Sequence, residues 1–366
     1  MSFSELAPAY IRAIAPYQPG KPIGEVAREM GLEENQIVKL ASNENPLGIP
    51  PKAQAALTAA IAELSRYPDG NGFDLKAKIS QKFHVQPEQI VLGNGSNDIL
   101  ELVARTFLTP ADSALYSEFA FAVYPLAVQA VGAEGIEVKA QAYGHDLDAM
   151  RAAIKANTKL IFIANPNNPS GTLLKPGALL EFLDAVPANV LVVLDEAYTE
   201  FMPPELASDS IGWLKRYPNL IVSRTFSKAY GLAGLRVGFA LANPEVAGLI
   251  NRIRQPFNVN SLAQVAACAA LDDDDFLRQS VANNQAGMKQ LTDAFQRLGL
   301  PYIPSYGNFV TFHVGDAKAL NAFLLKHGVI VRSLAPYNMP NSLRVSIGLP
   351  EENARFIEVL ELAVGD

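Results

Sequence analysis

The sequence predicts an α/β fold, with a large, doubly wound and mostly parallel sheet domain and a smaller α+β C-terminal domain. Helical periodicity over residues 53–64 and 98–107 alternates with short β-rich runs. These runs lie at residues 90–92, 160–163, 190–194 and 220–222. They are apolar on both faces, which is typical of parallel strands that helices cover on both sides. After Pro256, long helical segments precede strand-like runs at residues 309–313, 329–331 and 343–347, which indicate the smaller domain.

Three parts of the chain differ in their residue pattern. Residues 1–45 contain Pro8, Pro16, Pro19 and Pro22, and we expect them to form an arm that packs on the smaller domain or on a partner subunit. Residues 46–255 carry the alternating pattern and are predicted to form the large domain. Residues 256–366 are predicted to form the smaller one.

The composition limits the class of protein. With 366 residues, 49% hydrophobic and 18% charged, the chain can bury extended cores, which argues against disorder. The formal net charge of -7 argues against a nucleic-acid partner, because phosphate contacts require clustered lysine and arginine. The single cysteine excludes an internal disulfide framework, and no apolar segment approaches membrane-spanning length. We therefore expect a cytoplasmic protein with no nucleic-acid or membrane partner, and no residue is assigned to a metal.

The loops after the predicted strands are candidate ligand sites, because open α/β sheets bind ligands beyond the carboxyl ends of their strands. Residues 93–98 lead into a helix, an arrangement that points backbone N–H groups at an anion. By itself this loop is equally typical of an ordinary glycine turn, and it is not a P-loop because no Gly-Lys-Ser/Thr follows. Residues 165–171 contain two prolines and present amide side chains, although a plain turn has the same composition.

Charged side chains follow the next two strands. Asp195 ends a buried strand, where an isolated carboxylate is costly and requires a cationic or protonated partner. Lys228 follows the run at 220–222, and a lone lysine in such a loop is usually a solvated surface cation. One ligand requires all four loops at once, since it has a phosphate, a ring nitrogen, a phenolate oxygen and a carbon that reacts with an amine. That ligand is pyridoxal phosphate, and the loops predict that it is bound as a Schiff base on Lys228.

Four motifs resemble a known family. They are NENPLG at residues 43–48, RYP at 66–68, SKAYGLAGLR at 227–236 and LRVSIG at 343–348. They are similar to the motifs of fold-type I aminotransferases of the class II subgroup, and more closely to those of histidinol-phosphate aminotransferases, over nearly the whole chain. The resemblance implies a homodimeric transaminase of histidine biosynthesis. Its reaction would convert histidinol phosphate and 2-oxoglutarate to imidazole acetol phosphate and glutamate.

The resemblance also implies which residues hold the cofactor. Lys228 would be the Schiff-base lysine and both the acid and the base of the reaction. Contacts to the cofactor phosphate are implied for Gly95, Ser96, Asn97, Ser227 and Arg236, whose N–H groups, hydroxyl and guanidinium suit an anion.

Contacts to the cofactor ring are implied in the same way. Asp195 resembles the partner of the ring nitrogen, and Asn168 and Tyr198 resemble the donors to the ring oxygen. Phe121 is similar in placement to the aromatic residue that stacks on the ring in relatives, with Phe119 as the alternative.

Substrate and subunit contacts follow from the resemblance as well. Arg344 resembles the residue that binds the α-carboxylate of amino acids, and Arg332 and Tyr17 correspond to positions near the substrate phosphate. Asn45 is expected to close over the site. Tyr67 resembles the tyrosine that reaches the cofactor phosphate of a neighbouring subunit, which implies that the active site needs a dimer.

Other functions share these motifs. An aromatic amino acid aminotransferase and a phosphothreonine decarboxylase would carry the same cofactor loops. A ligand-sensing regulator with an aminotransferase-like domain would carry an added DNA-binding domain, whereas this chain opens directly with the arm and has net negative charge. A structural interaction protein would have no need for Lys228, Asp195 and Arg236 together.

Overall fold

A computed structural model describes residues 2–17 and 20–365, so Met1, Gln18, Pro19 and Asp366 lie outside the described residues. The helices are α1 Ala9–Arg12, α2 Ile23–Met30, α3 Pro51–Ala60, α4 Phe73–Phe83, α5 Ser96–Phe107, α6 Val123–Ala130, α7 Leu147–Ala152, α8 Pro176–Ala185, α9 Ser210–Trp213, α10 Pro244–Ile253, α11 Ser261–Leu271, α12 Asp274–Arg297, α13 Ala317–Lys326 and α14 Pro350–Val364. The strands are β1 Val38–Lys39, β2 Ile90–Gly93, β3 Ser113–Ser117, β4 Glu134–Val138, β5 Thr158–Ala164, β6 Leu191–Asp195, β7 Leu220–Thr225, β8 Gly238–Ala242, β9 Tyr302–Ile303, β10 Phe309–His313, β11 Val329–Ile330, β12 Arg332–Ser333 and β13 Ser342–Ser346. Short 3-10 helices span Phe3–Leu6, Glu34–Gln36, Ile61–Glu63, Pro87–Gln89, Thr199–Phe201, Pro204–Leu206, Ala233–Leu235 and Ala335–Tyr337.

The large sheet confirms the predicted mostly parallel α/β architecture. Over the described ranges it has seven strands, in the order β2-β8-β7-β6-β5-β3-β4. Neighbouring strands are parallel except that β8 is antiparallel to both β2 and β7. Because β2 and β7 therefore run the same way, the carboxyl ends of β2, β5, β6 and β7 lie at one edge. Strand β4 was not predicted from the sequence, because most of its residues are exposed and it therefore lacks an apolar run.

Two cores, one on each face of the sheet, make the fold doubly wound. Along β5, Ile161 and Ile163 belong to one core, and Leu160 and Phe162 belong to the other. This alternation follows from the two-residue period of a strand, and it explains why the runs are apolar throughout. Helices α3, α4, α8 and α11 cover the first face, and α5, α6 and α10 cover the second.

The smaller sheet has the order β12-β13-β10-β9 and is antiparallel. Helices α12, α13 and α14 cover it and form a third core with Phe295, Leu324 and Phe356. The N-terminal segment joins this unit, because β1 pairs with β11 in parallel and Val26 packs near Ile330. This packing brings the residues after β1 to the large sheet.

Helix α11 packs on the large unit, although it lies beyond residue 255. Its alanines, among them Ala263 and Ala267, are fully buried in the core beside α3 and α4. Small side chains allow the three helices to approach closely. We therefore propose that the boundary between the domains lies near Asp272 and not at residues 255 and 256. None of the described helices is both long and apolar enough to cross a membrane.

Candidate active site

A cavity of about 200 Å³ lies where the carboxyl ends of the parallel strands meet the smaller sheet and the N-terminal segment. Most of the residues assigned from the sequence line it, namely Tyr17, Ser96, Asn97, Phe121, Asn168, Asp195, Tyr198, Ser227, Lys228, Arg236, Arg332 and Arg344. They come from positions far apart in the chain, and the sheet brings them together because its parallel strands end at one edge.

One end of the cavity is suited to an anion. Helix α5 begins at Ser96, so its N-terminal N–H groups face the cavity. Arg236 Nη1 donates to Ser227 Oγ at 3.3 Å and to the carbonyl oxygen of Ala233 at 3.0 Å. Gly95 has a φ of 85°, and a Cβ on it would lie 2.5 Å from Arg236 Nη2. Gly95 does not line the cavity itself, but its lack of a side chain admits the guanidinium.

Asp195 has one satisfied and one unsatisfied oxygen. Its Oδ2 accepts a hydrogen bond of 2.8 Å from the hydroxyl of Tyr124, whereas Oδ1 has no partner among the residues that the structure describes. Burial raises the pKa of this carboxyl to about 6, and the Tyr124 hydrogen bond opposes the rise. A buried carboxylate oxygen of this kind needs a donor or cation from a ligand, as a protonated ring nitrogen would supply. The sequence did not assign Tyr124, which stacks on Phe162 at 4.8 Å.

Lys228 lies between the N-terminal segment and Tyr198. Its Nζ donates to the carbonyl oxygen of Ser42 at 3.2 Å and lies 5.8 Å from the centre of the Tyr198 ring. Burial first, and then the charge of Arg344, lower the pKa of the amine to about 8. Because the neutral amine is the nucleophilic form, this environment suits a lysine that forms a covalent bond with a carbonyl carbon.

Two donors face the cavity beside Lys228. Asn168 Oδ1 accepts a hydrogen bond of 2.5 Å from Arg344 Nη1, so the amide N–H groups of Asn168 face away from Arg344. The hydroxyl of Tyr198 accepts a hydrogen bond of 3.0 Å from Asn43 Nδ2. Burial raises the pKa of Tyr198 to about 12, so its hydroxyl keeps its proton and can donate it. This pair suits a ligand oxygen that carries negative charge.

The two candidate stacking residues differ in placement. Phe121 lines the cavity and meets Tyr124 edge to face at 5.9 Å. Phe119 lies outside the lining, where it packs near Tyr337 and beside the ring of Tyr143 at 5.6 Å. The geometry therefore favours Phe121 for the ring contact.

The two arginines of the smaller sheet are direct cross-strand partners. Arg332 on β12 pairs with Arg344 on β13. Arg344 is 6% exposed and its Nη2 donates to the carbonyl oxygen of Ala41 at 2.9 Å. The guanidinium of Arg332 lies 5.4 Å from the centre of the Tyr17 ring. Both line the same cavity, so they give it two positive charges in addition to that of Arg236.

Besides Gly95, two assigned residues lie outside the cavity lining. Tyr67 is 83% exposed and stacks on Phe257 at 4.8 Å, and neither residue belongs to the cavity lining within the described part of the chain. Asn45 was expected to close over the site, but the structure does not bring it there. Its Nδ2 donates to the carbonyl oxygen of Ala229 at 2.9 Å and to Ser280 Oγ at 2.8 Å, so its donors hold the loop after Lys228 to helix α12.

The sequence missed several residues of the lining. Ser42, Asn43, Tyr124, Thr225 and Tyr337 all contribute to the cavity wall. Among these, Asn43 could have been assigned from the sequence, because it belongs to the motif at residues 43–48. Tyr124 and Tyr337 could not, because in a sequence their aromatic side chains are indistinguishable from core residues.

The donor set as a whole fits pyridoxal phosphate. The helix N-terminus with Arg236 suits its phosphate, Asp195 Oδ1 its ring nitrogen, Tyr198 and Asn168 its ring oxygen, and Lys228 its reactive carbon.

Comparisons with known proteins agree with this fit. The model of the aminotransferase class I and II family matches residues 35–360. The histidinol-phosphate aminotransferase of Methylobacillus flagellatus is 64% identical over 357 residues, which is 98% of this chain and 97% of that protein. The histidinol-phosphate aminotransferase 2 of Pseudomonas aeruginosa is 59% identical, over 98% of this chain and 97% of that one.

Solved structures share the fold of this chain. A crystal structure of the histidinol-phosphate aminotransferase of Sinorhizobium meliloti, in complex with pyridoxal 5'-phosphate, superposes with a TM-score of 0.91 at 27% identity, covering 100% of this chain and 98% of that one. The L-threonine-O-3-phosphate decarboxylase of Porphyromonas gingivalis shares the fold, with a TM-score of 0.80 at 23% identity, covering 90% of this chain and 100% of that one. The chain therefore belongs to the class I and II aminotransferases, and within them to the histidinol-phosphate aminotransferases.

Proposed function

We propose that this protein is a histidinol-phosphate transaminase that uses pyridoxal phosphate and transfers the amino group of histidinol phosphate to 2-oxoglutarate, in histidine biosynthesis. The cross-strand pair of Arg332 and Arg344 beside Lys228 carries this proposal. Like charges directly opposite each other destabilise a strand pair, so this arrangement becomes favourable when an anion lies between them. Histidinol phosphate brings a phosphate to that position, and 2-oxoglutarate brings a carboxylate.

The residues that would hold the cofactor divide by its chemical groups. Ser96, Asn97, Ser227 and Arg236 bind the phosphate, and Asp195 holds the proton on the ring nitrogen. Asn168 and Tyr198 would donate to the ring oxygen, and Phe121 would contact the ring. When bound, pyridoxal phosphate supplies an electron sink for negative charge at the substrate carbon that bears the amine.

Lys228 has two tasks in the reaction. Its pKa of about 8 leaves a useful fraction of neutral amine near neutral pH, which suits both attachment and proton transfer. We propose that Nζ takes the proton from the substrate carbon that bears the amine and would deliver it to the reactive carbon of the cofactor. Arg344 orients the substrate by its carboxylate or phosphate, and Arg332 with Tyr17 contacts the phosphate end.

A homodimer is also part of the proposal. Tyr67 is largely exposed and stacks on Phe257, which is 45% exposed, and Phe73, six residues further along the chain, is 74% exposed. Exposed aromatic side chains of this kind are typical of a surface that contacts another protein. A second copy of the chain would cover this surface and bring Tyr67 to the phosphate end of the facing site.

We also propose a cytoplasmic location, as the single cysteine indicated.

The test is the turnover of purified protein. Glutamate formation from histidinol phosphate and 2-oxoglutarate is measured beside reactions with phenylalanine as amino donor and a carbon dioxide assay with phosphothreonine. Lys228→Ala should lose at least about a thousandfold in rate, because the acid and base are gone. Lys215→Ala is the matched control, since Lys215 is exposed on the surface. Activity with phenylalanine alone, or carbon dioxide release from phosphothreonine alone, would overturn the substrate and leave the cofactor chemistry in place.

A further inference from the structure

Three consecutive residues of the N-terminal segment contact three side chains of the active site. The carbonyl oxygen of Ala41 accepts from Arg344, and that of Ser42 accepts from Lys228. Asn43 Nδ2 then donates to the hydroxyl of Tyr198. The first two contacts use backbone atoms, which any residue could supply, but the third depends on the side chain of Asn43.

Hydrogen bonds determine which way the Asn43 amide faces. The backbone N–H of Asn43 donates to Ser346 Oγ at 2.8 Å, so the Ser346 hydroxyl proton is directed to Asn43 Oδ1, 2.9 Å away. With Oδ1 engaged in this way, Nδ2 is the atom that faces Tyr198, at 3.0 Å. The backbone oxygen of Asn43 accepts from Asn308 Nδ2 at 3.0 Å, and the residue is 1% exposed. The amide therefore has one favourable orientation.

That orientation sets the direction of the Tyr198 hydroxyl. An oxygen that accepts from Asn43 Nδ2 cannot donate its own proton back along the same line, so the proton points to another acceptor. Tyr198 lines the cavity, and its ring is held edge to face against Phe309 at 5.2 Å. The charged and titratable groups that act on Tyr198 are Arg344, Asp195, Tyr337 and Lys228. Within the described residues, none of them accepts a hydrogen bond from the Tyr198 hydroxyl.

We propose that Asn43 is a positioning residue that makes Tyr198 a dedicated hydrogen-bond donor to the ring oxygen of pyridoxal phosphate. The inference rests on the proposed function, in which Tyr198 faces that oxygen. A donor there stabilises the oxygen in its deprotonated, negatively charged form. The amide of Asn43 would thereby lower the pH at which the bound cofactor loses its proton. Asn43 acts through Tyr198 and not by its own contact with the reacting atoms.

The substitution Asn43→Asp reverses the contact with little change in shape. A carboxylate accepts the Tyr198 proton and diverts it from the ring oxygen. Asn43 has a φ of 54°, a conformation that Asn and Asp tolerate, so the backbone should be retained. Asn338 has a φ of 58° and is exposed, which makes Asn338→Asp the matched control for the same exchange at the same backbone conformation.

The measurement is the midpoint pH of the change in visible absorbance of the cofactor-loaded protein. It is made on the native protein, on Asn43→Asp, on Tyr198→Phe and on the double variant, which form a double-mutant cycle. Tyr198→Phe should raise the midpoint by about 1 to 2 pH units, the loss of a hydrogen bond to a charged group. Asn43→Asp should raise it similarly in the native background and add little in the Tyr198→Phe background, because the two substitutions remove one contact. Asn338→Asp should leave the midpoint unchanged.

Two results would overturn the inference. One is an unchanged midpoint in Asn43→Asp, and the other is an equal rise with and without the Tyr198 hydroxyl, which would show a plain charge effect. If Asn43→Asp does not fold, Ser346→Ala serves instead, because the freed amide can turn its oxygen to Tyr198; the same two criteria then apply. A native protein that shows no visible absorbance with pyridoxal phosphate, and no adduct on Lys228 after borohydride reduction, would instead refute the proposed function.

Discussion

Arg344 and Asn168 are joined by a hydrogen bond of 2.5 Å from Nη1 to Oδ1. Arg344 belongs to a strand of the smaller sheet, and Asn168 belongs to the loop after β5 of the large one. The residue proposed to orient the substrate is therefore hydrogen-bonded directly to a residue proposed to contact the cofactor ring. Because the Arg344 guanidinium also donates to Ala41, its planar fork holds two parts of the cavity wall in register.

Replacement of Arg344 by lysine should impair 2-oxoglutarate binding, although the positive charge is retained. An ammonium cannot reproduce the fork, and Asn168 Oδ1 loses its donor. We expect the KM for 2-oxoglutarate to rise about 10- to 100-fold, the loss of hydrogen bonds to a charged group. Steady-state kinetics with each substrate varied in turn measure this. Arg332→Lys is the comparison and should raise the KM for histidinol phosphate more than that for 2-oxoglutarate. Equal effects of both variants on both substrates would contradict the division of roles.

Asp195→Asn should stabilise the cofactor-free protein at pH 8. The folded pKa of about 6 lies above the ordinary value of 3.8, so the favourable contribution of this carboxyl is complete below pH 3.8 and is lost as pH rises through 6. At pH 8 the native protein carries a buried charge that the neutral amide removes. We expect the Tm of the variant to exceed that of the native protein by about 2 °C or more at pH 8, with the gap closing towards pH 4.

Pyridoxal phosphate should reverse that order, because the ring nitrogen gives the carboxylate its partner. Thermal unfolding with and without the cofactor, at both pH values, checks both statements. A gap in Tm that is independent of pH would show that the effect does not come from the ionisation of Asp195.

Gly95→Ala should weaken cofactor binding. The new Cβ would lie 2.5 Å from Arg236 Nη2, at a φ of 85° that alanine disfavours, so the guanidinium must move from the helix N-terminus. We expect the Kd for pyridoxal phosphate to rise about 10- to 100-fold, measured by absorbance titration. Gly177→Ala in helix α8 is the control, since a Cβ there meets nothing within 4 Å. It should leave the Kd unchanged and stabilise the helix by about 0.5 to 1 kcal/mol.

Subunit mixing should test the contribution of Tyr67. If Tyr67 of one chain completes the site of the other, Tyr67→Ala and Lys228→Ala are each impaired, but their mixed dimer contains one native site. Co-expression should then restore roughly a quarter of native activity, since half of the dimers are mixed and each has one working site. Asp195→Ala mixed with Lys228→Ala is the control and should stay inactive, because both residues belong to one chain's site. No recovery in the first mixture, or a monomer by sedimentation, would contradict the dimeric site.

The sequence by itself determined four strands of the large sheet and the residues that follow them. The apolar runs predicted β2, β5, β6 and β7, because strands buried on both faces must be apolar throughout. Asp195 and Lys228 follow directly from those strands, so their place at the carboxyl edge could be read from local order alone. The motif that contains Lys228 predicted the family, and the comparisons with known proteins confirm that prediction.

Only the tertiary structure decided which residues meet across the domains. Asn43 and Tyr198 are 155 residues apart, and Ser346 is 303 residues from Asn43, so no local pattern relates them. The pairing of Arg332 with Arg344 depends on strand register, and the separation of Phe121 from Phe119 depends on which side of a turn faces the cavity. Periodicity reports whether a side chain is buried, whereas the hydrogen-bond partner of a buried polar group is chosen by how whole elements pack against each other.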